Sequence, residues 1–173
     1  GDRGTSMGNP TLLPEQAEHY ETGLRFQNSK IALTTSLYLR NISDAIISES
    51  DSRGVIHFDN LGRTRHTGLE QDIRWNIWSA LSLSASITLQ SNEIIEYTPI
   101  PYYEGNQAAG YSQFSGYFSA SWTKNNWDFS VGNYRQSDGY YNNSNLLEKD
   151  AENSWNASAG YQRKNWRVSI NVT

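Results

Sequence analysis

The chain has 173 residues, 36% apolar, 13% aromatic and 18% charged, with a formal net charge of −4 and no cysteine. So aromatic a chain with so much Ser, Asn, Thr and Gly is neither a disordered segment nor a helical bundle. Its charge offers no broad basic surface for nucleic acid, and the lack of cysteine excludes disulfide scaffolds, iron–sulfur sites and Cys-based zinc sites.

No apolar stretch is long enough for a transmembrane helix, although strands of about 9 to 11 alternating residues could still cross a bilayer. The opening GDRGTSMGNP lacks the basic and apolar parts of a signal peptide, so a processed chain or a piece of a longer one is expected. Asn9 to Glu15, with Pro10 and Pro14, reads as a rigid segment outside any ladder, within a lead-in over 1–16.

Period-two alternation then begins. Tyr20, Thr22, Leu24 and Phe26 share one parity, and Glu21, Gly23, Arg25 and Gln27 the other. Ile31, Leu33, Leu37 and Leu39 continue the apolar parity beyond a turn at Asn28-Ser29, and residues 41–62 read as a loop with short extra structure near Val55 to Phe58. Leu69, Ile73, Trp75 and Ile77 oppose Glu70, Asp72, Arg74 and Asn76; after a turn at Trp78 to Ala80, Leu81 to Leu89 alternate with a serine-rich row. A second long loop is expected over 91–111 and a third around Ser137 to Asp150. The predicted strands are, approximately, 17–27, 30–42, 63–76, 81–92, 113–123, 127–136, 152–162 and 166–173.

Connections thus alternate between short and long, as in an antiparallel meander with turns at one end and elaborate loops at the other. Trp75, Trp78, Trp122, Trp127, Tyr161 and Trp166 stand beside the short joins, where an interfacial aromatic belt would place them. An antiparallel transmembrane barrel segment is the expected fold, with a soluble β-sandwich as the rival.

NPTLLPEQAEHYETGLRF at 9–26 resembles the Asn-Pro-x-Leu-x-Pro-Glu segment and following strand of TonB-dependent outer-membrane receptors. SLYLRNISDAI at 36–46 resembles their next strand, and Asn60, Gly62 and HTGLEQDIRW at 66–75 resemble the strand returning from the outer loop. This ordered agreement covers about the first 90 residues, and WRVSINVT at 166–173 resembles the start of the family's near-terminal strand. The resemblance implies a 22-stranded barrel filled by a plug, in the bacterial outer membrane, importing iron-siderophores, haem or cobalamin through the TonB energy-coupling protein. Residues 17–173 are then expected to be a C-terminal portion of that barrel, with the plug and remaining strands elsewhere; a small outer-membrane adhesin or structural barrel is the alternative.

No constellation argues for an enzyme or a cofactor. Glu70 and Asp72 would point the same way on a strand, as paired-carboxylate chemistry requires, but Arg74 on the same row makes a polar wall the better reading. Glu21, Arg25, Arg40, Glu70, Asp72 and Arg74 are expected to face a lumen or plug. His57 and His66 flank a loop without the ligand spacing of a metal or haem site. Glu49, Asp51 and Asp59 lend charge to the loop 44–60 without calcium-loop spacing. The ligand-contact candidates are Tyr102, Tyr103, Tyr140, Tyr141 and Asn142, because rigid aromatics with amides suit a polar, ring-containing ligand.

Overall fold

In a computed structural model, the described residues are 6–50, 54–60, 62–97 and 100–173. Asp51, of the loop 44–60, and Pro99, of the expected loop 91–111, lie outside them, as does the side chain of Glu49. The strands in chain order are β1 (Ser6–Met7), β2 (Gln16–Gln27), β3 (Ile31–Ser43), β4 (Ile46–Ser50), β5 (Ile56–Asn60), β6 (Gly62–Trp78), β7 (Leu81–Tyr97), β8 (Phe114–Lys124), β9 (Trp127–Gln136), β10 (Gly139–Tyr140), β11 (Glu148–Lys149), β12 (Glu152–Arg163) and β13 (Trp166–Val172). Eight of them form one antiparallel sheet in the order β13-β12-β9-β8-β7-β6-β3-β2, so β2 and β13 are its two edges.

Register explains why the sequence alternates. Phe26 lies opposite Leu33, Leu33 opposite Ile73, Ile73 opposite Ala85 and Ala85 opposite Phe118. The row continues through Ala120, Val131 and Ala157 to Val172 on the remaining strands. One parity therefore makes a single apolar face across all eight strands, since a pleated strand turns alternate side chains to opposite sides. That face is bare: Leu24 is 63% exposed, Trp155 62% and Ile170 67%.

The other face is polar, with small serines along β7, β8, β9 and β12. Ser84 Oγ lies 2.7 Å from Ser119 Oγ, and Ser130 Oγ lies 2.8 Å from Ser158 Oγ. Gly68 is required on this side because the Tyr38 ring of β3 lies over it, where a Cβ would stand 2.5 Å from the ring.

Several expected boundaries move. β6 and β7 run on past the apolar face as a paired extension from Gly62↔Tyr97 to His66↔Asn92, with a bulge between Arg63 and Thr64. The expected loop over 91–111 is therefore strand as far as Tyr97, and Glu93 bridges Gln107 on the other side. Its backbone is paired even though its side chains no longer alternate apolar with polar, which is why periodicity missed it. Trp78 belongs to β6: a second bulge sets it opposite Leu81 on the apolar face, leaving Ser79-Ala80 as the turn.

Two smaller sheets cap the long-loop end. The stretch read as loop holds the β4–β5 hairpin, joined by β1 in parallel with β5. The segment 9–15 is tied to this hairpin by side chains: Asn9 Nδ2 donates to the Phe58 carbonyl at 3.0 Å, and Glu15 Oε1 accepts the Ile46 N–H at 2.7 Å. The buried apolar cluster of Ile94, Tyr97 and Ala108, with Ala45, Ile47 and Tyr103 against it, also lies at this end rather than under the sheet.

Candidate functional site

The polar face gathers every charged residue expected to share a side. Glu21 lies opposite Tyr38, Arg25 opposite Thr34, Thr34 opposite Asp72, Ser36 opposite Glu70, Ala32 opposite Arg74 and Arg40 opposite His66. Strand parity therefore places Glu21, Arg25, Arg40, Glu70, Asp72 and Arg74 on one face. Hydrogen bonds link part of it: Ser36 Oγ donates to Glu21 Oε1 at 2.5 Å, and the Tyr38 hydroxyl donates to Gln90 Oε1 at 3.2 Å. Gln90 Nε2 in turn donates to the Ser112 carbonyl at 2.9 Å, joining the sheet to the loop before β8.

Above Gln90 the same face is covered by that loop. His66 is 7% exposed and Asn92 3% exposed. Asn92 Oδ1 accepts from His66 Nδ1, so the neutral ring carries its proton there and Nε2 accepts the Thr64 hydroxyl at 3.0 Å. Tyr111 packs edge-on against the imidazole, with centroids 5.1 Å apart. The outward parity of β6 has by this height left the apolar face, carrying Thr67, Arg65 and Arg63 above Leu69, so His66 lies beyond the apolar band. Burial, reinforced by the charge of Arg40, pushes its pKa below the ordinary value of 6.5, against the opposing hydrogen bond to Asn92. His66 therefore belongs to a buried polar contact, a role that its position in sequence did not announce. His57 sits in β5, in register with Met7 and Glu49.

The long loops divide the five candidate contact residues into different roles. Tyr102 is 88% exposed and Tyr141 62% exposed. Tyr103 instead packs on Tyr97, with ring centroids 5.0 Å apart. Tyr140 pairs with Glu148 in a short ladder, its carbonyl accepting the Gly110 N–H at 2.9 Å. Asn142 spends its side-chain oxygen on the N–H groups of Leu146 and Leu147, both at 3.2 Å, and so shapes its own loop.

The neighbouring asparagines hold the two loops together. Asn145 accepts the Gln107 N–H at 2.9 Å and donates to the Gln107 carbonyl at 2.8 Å. Asn143 Oδ1 accepts the Ala109 N–H at 3.0 Å, and Asn106 Nδ2 donates to the Asn143 carbonyl at 2.9 Å. The run Asn142-Asn143-Ser144-Asn145 was the available signal, since amides can replace a missing strand partner. Among the described residues, no three His, Asp or Glu side chains come close enough to hold a metal ion.

The whole chain, residues 1–173, matches the sequence model of the family described as TonB dependent receptor-like, beta-barrel. An uncharacterized TonB-dependent receptor of Haemophilus influenzae is 26% identical over 132 residues, 76% of this chain and 37% of the relative. Among solved structures, the ferric yersiniabactin uptake receptor FyuA from Yersinia pestis superposes with a TM-score of 0.76 at 16% identity, over 91% of this chain and 24% of that one. The ferric citrate transporter FecA gives 0.78 at 22% identity, over 91% and 26%. The copper transporter OprC gives 0.77 at 12% identity, over 94% and 25%. The chain therefore spans about a quarter of the length of these solved structures and 37% of the curated relative. With the family model matched from end to end, the chain belongs to the TonB-dependent receptor β-barrel family.

Proposed function

We propose that residues 17–173, led in by 1–16, form part of the wall of a 22-stranded, plug-filled barrel in a bacterial outer membrane. The complete receptor imports a scarce nutrient, foremost an iron-siderophore, and draws its energy from TonB. The bare apolar face across eight strands carries this reading. A sandwich buries such a face against a second sheet, whereas a membrane barrel turns it to lipid and keeps the polar face toward the interior. Closure with further strands would also pair the two edges, whose free N–H and C=O groups are costly in hydrocarbon.

On this reading Glu21, Arg25, Arg40, Glu70, Asp72 and Arg74 face water or the plug, and Tyr102 and Tyr141 meet the incoming ligand. The reaction is movement without covalent change, so none of these groups acts as a catalyst. FyuA and FecA are receptors for ferric complexes and OprC is a copper transporter, which supports a metal-bearing cargo with its identity set by the loops.

The test is uptake by the full-length receptor of labelled iron-siderophores, haem and cobalamin, in cells with and without TonB. Accumulation of an iron-siderophore that disappears without TonB is the expected result; accumulation that persists unchanged rejects active TonB-coupled uptake. Spin labels at Leu83 and Ser84 test the wall itself. Oxygen should relax the label at 83 and a water-soluble agent the label at 84, and the reverse assignment would sink the lipid-facing register.

A further inference from the structure

The end of the sheet that carries the short turns has an excess of positive charge. Lys30, Lys124, Arg163 and Lys164 lie in or beside these turns, while the nearby Asp128 is already engaged by Arg167 at 2.8 Å. Acidic side chains such as Asp44, Asp59, Glu93, Glu104 and Glu148 lie toward the opposite end. A chain with a net charge of −4 thus has a cationic rim at its short turns.

Register places two of these cations on the apolar side. Lys124 stands opposite Trp127, Trp127 opposite Tyr161, and Arg163 opposite Trp166. The rings beside them form an unbroken strip: Trp122 and Phe129 have centroids 5.6 Å apart, Trp127 and Phe129 6.0 Å, Trp127 and Tyr161 4.6 Å, and Tyr161 and Trp166 5.6 Å. Lys164 occupies its two-residue turn at φ 47°, where the neighbouring hairpin uses Asn125 at φ 56°. Asparagine tolerates that left-handed backbone better than lysine does, so the charge is held at a conformational cost.

We propose that this rim binds the headgroups of anionic phospholipids in the leaflet at the short-turn end, with Lys124, Arg163 and Lys164 meeting phosphate diesters below the Trp127–Tyr161–Trp166 strip. The inference rests on the apolar face being the lipid-facing one. Indole and phenol rings settle at the boundary between acyl chain and headgroup, because one end of each is apolar and the other donates a hydrogen bond. The alkyl stems of Lys and Arg can follow the apolar face while their charges reach the phosphate plane. Complementary charge supplies the selectivity: a zwitterionic lipid brings its own cation toward the rim, whereas phosphatidylglycerol does not.

The experiment uses the full-length receptor, purified and exposed to an equimolar mixture of POPG, POPE and POPC, with retained lipid measured by native mass spectrometry. The triple variant Lys124→Gln, Arg163→Gln and Lys164→Gln should retain POPG about fivefold less than the wild type, with POPC unchanged. The charge-preserving triple Lys124→Arg, Arg163→Lys and Lys164→Arg, and Lys149→Gln at the long-loop end, should both match the wild type. Heat-modifiable migration on a gel confirms that each barrel is folded. Undiminished POPG in the glutamine triple, or an equal loss in the charge-preserving triple, overturns the proposal. Oxygen access at a Leu83 spin label in the same protein separates the two readings: its absence rejects the lipid-facing wall, whereas its presence without POPG selectivity rejects the headgroup site alone.

Discussion

The Asn60 carboxamide is bonded to both main-chain groups of Leu13. The Leu13 N–H donates to Oδ1 at 2.8 Å, and Nδ2 donates to the Leu13 carbonyl at 3.0 Å. Nδ2 also donates to the Asp44 carbonyl at 2.6 Å. One side chain thereby supplies the pairing that a strand would give, in a segment where Pro10 and Pro14 have no N–H to offer a ladder.

Asn60→Ala should accordingly loosen the lead-in without disturbing the eight-strand sheet. Three bonds are removed at a partly solvated site, so a cost of about 1–3 kcal/mol is expected. Hydrogen exchange should quicken at Leu12, Leu13 and Ile46 while Leu83 to Leu89 keep their protection. Unchanged exchange at Leu13 would show that the amide bridge contributes nothing.

His66 gives the long-loop end a dependence on acid. Its folded pKa is depressed below 6.5 by burial, so the unfolded or opened state binds the proton more readily. The contribution of the neutral ring is complete above about pH 6.5 and is lost as pH falls from there through the depressed folded value. Exchange protection at Asn92 and Ala108, joined by the bond from the Ala108 N–H to the Asn92 carbonyl at 2.8 Å, should drop over that range. His66→Gln should flatten the dependence; a profile of the same steepness in that variant would assign it to another group.

Gly68 and Tyr38 make a second pair with opposite needs. Gly68→Ala forces a Cβ into the ring at 2.5 Å, so Tyr38 must swing away from Gln90 or the strands must part. A cost of about 1–3 kcal/mol is expected, and Tyr38→Ser should relieve most of it in the double variant. Additive thermal destabilisation by the two changes would contradict the contact.

The sheet was legible because its physics has a period of two. Leu83, Ala85, Ile87 and Leu89 against Ser82, Ser84, Ser86 and Thr88 specify both strand and register, since a slip of one residue exchanges the faces. The aromatic residues beside short joins were equally visible. What periodicity could not disclose was pairing that depends on single side chains: Asn60 holding Leu13, Asn145 holding Gln107, and His66 between Thr64 and Asn92. The upper part of β7 fails for a related reason. Glu93 faces away from the covered side while Asn92 and Ile94 are buried, and a bulge then breaks the alternation before Glu96, which pairs with Arg63 at 2.8 Å. The clustered tyrosines were visible in sequence, but which of them stay exposed depends on how the loops fold back.

That division of the tyrosines makes the ligand reading testable. Tyr102 and Tyr141 project from loops whose backbones are already fixed, Tyr141 by its N–H to the Leu147 carbonyl at 2.9 Å and the loop at Tyr102 by the Tyr103 packing on Tyr97. Their rings can stack on a ligand with little ordering of the chain still to be done, which favours binding. Tyr102→Ala and Tyr141→Ala should therefore weaken ligand binding about tenfold or more while leaving the melting temperature of the full-length receptor within error. Tyr103→Ala should instead lower stability by about 2–4 kcal/mol, through loss of packing at the cluster of Ile94 and Tyr97, and affect binding only as the loop loosens. Asn145→Ala separates rigidity from contact. It removes the two bonds to Gln107 without touching either exposed ring, so it should slow association and leave Tyr102 and Tyr141 as sensitive to substitution as before. Affinity measured by calorimetry, with association rates from stopped flow, resolves these effects. Wild-type affinity in the double Tyr102→Ala, Tyr141→Ala variant would move the ligand contacts to other loops of the receptor.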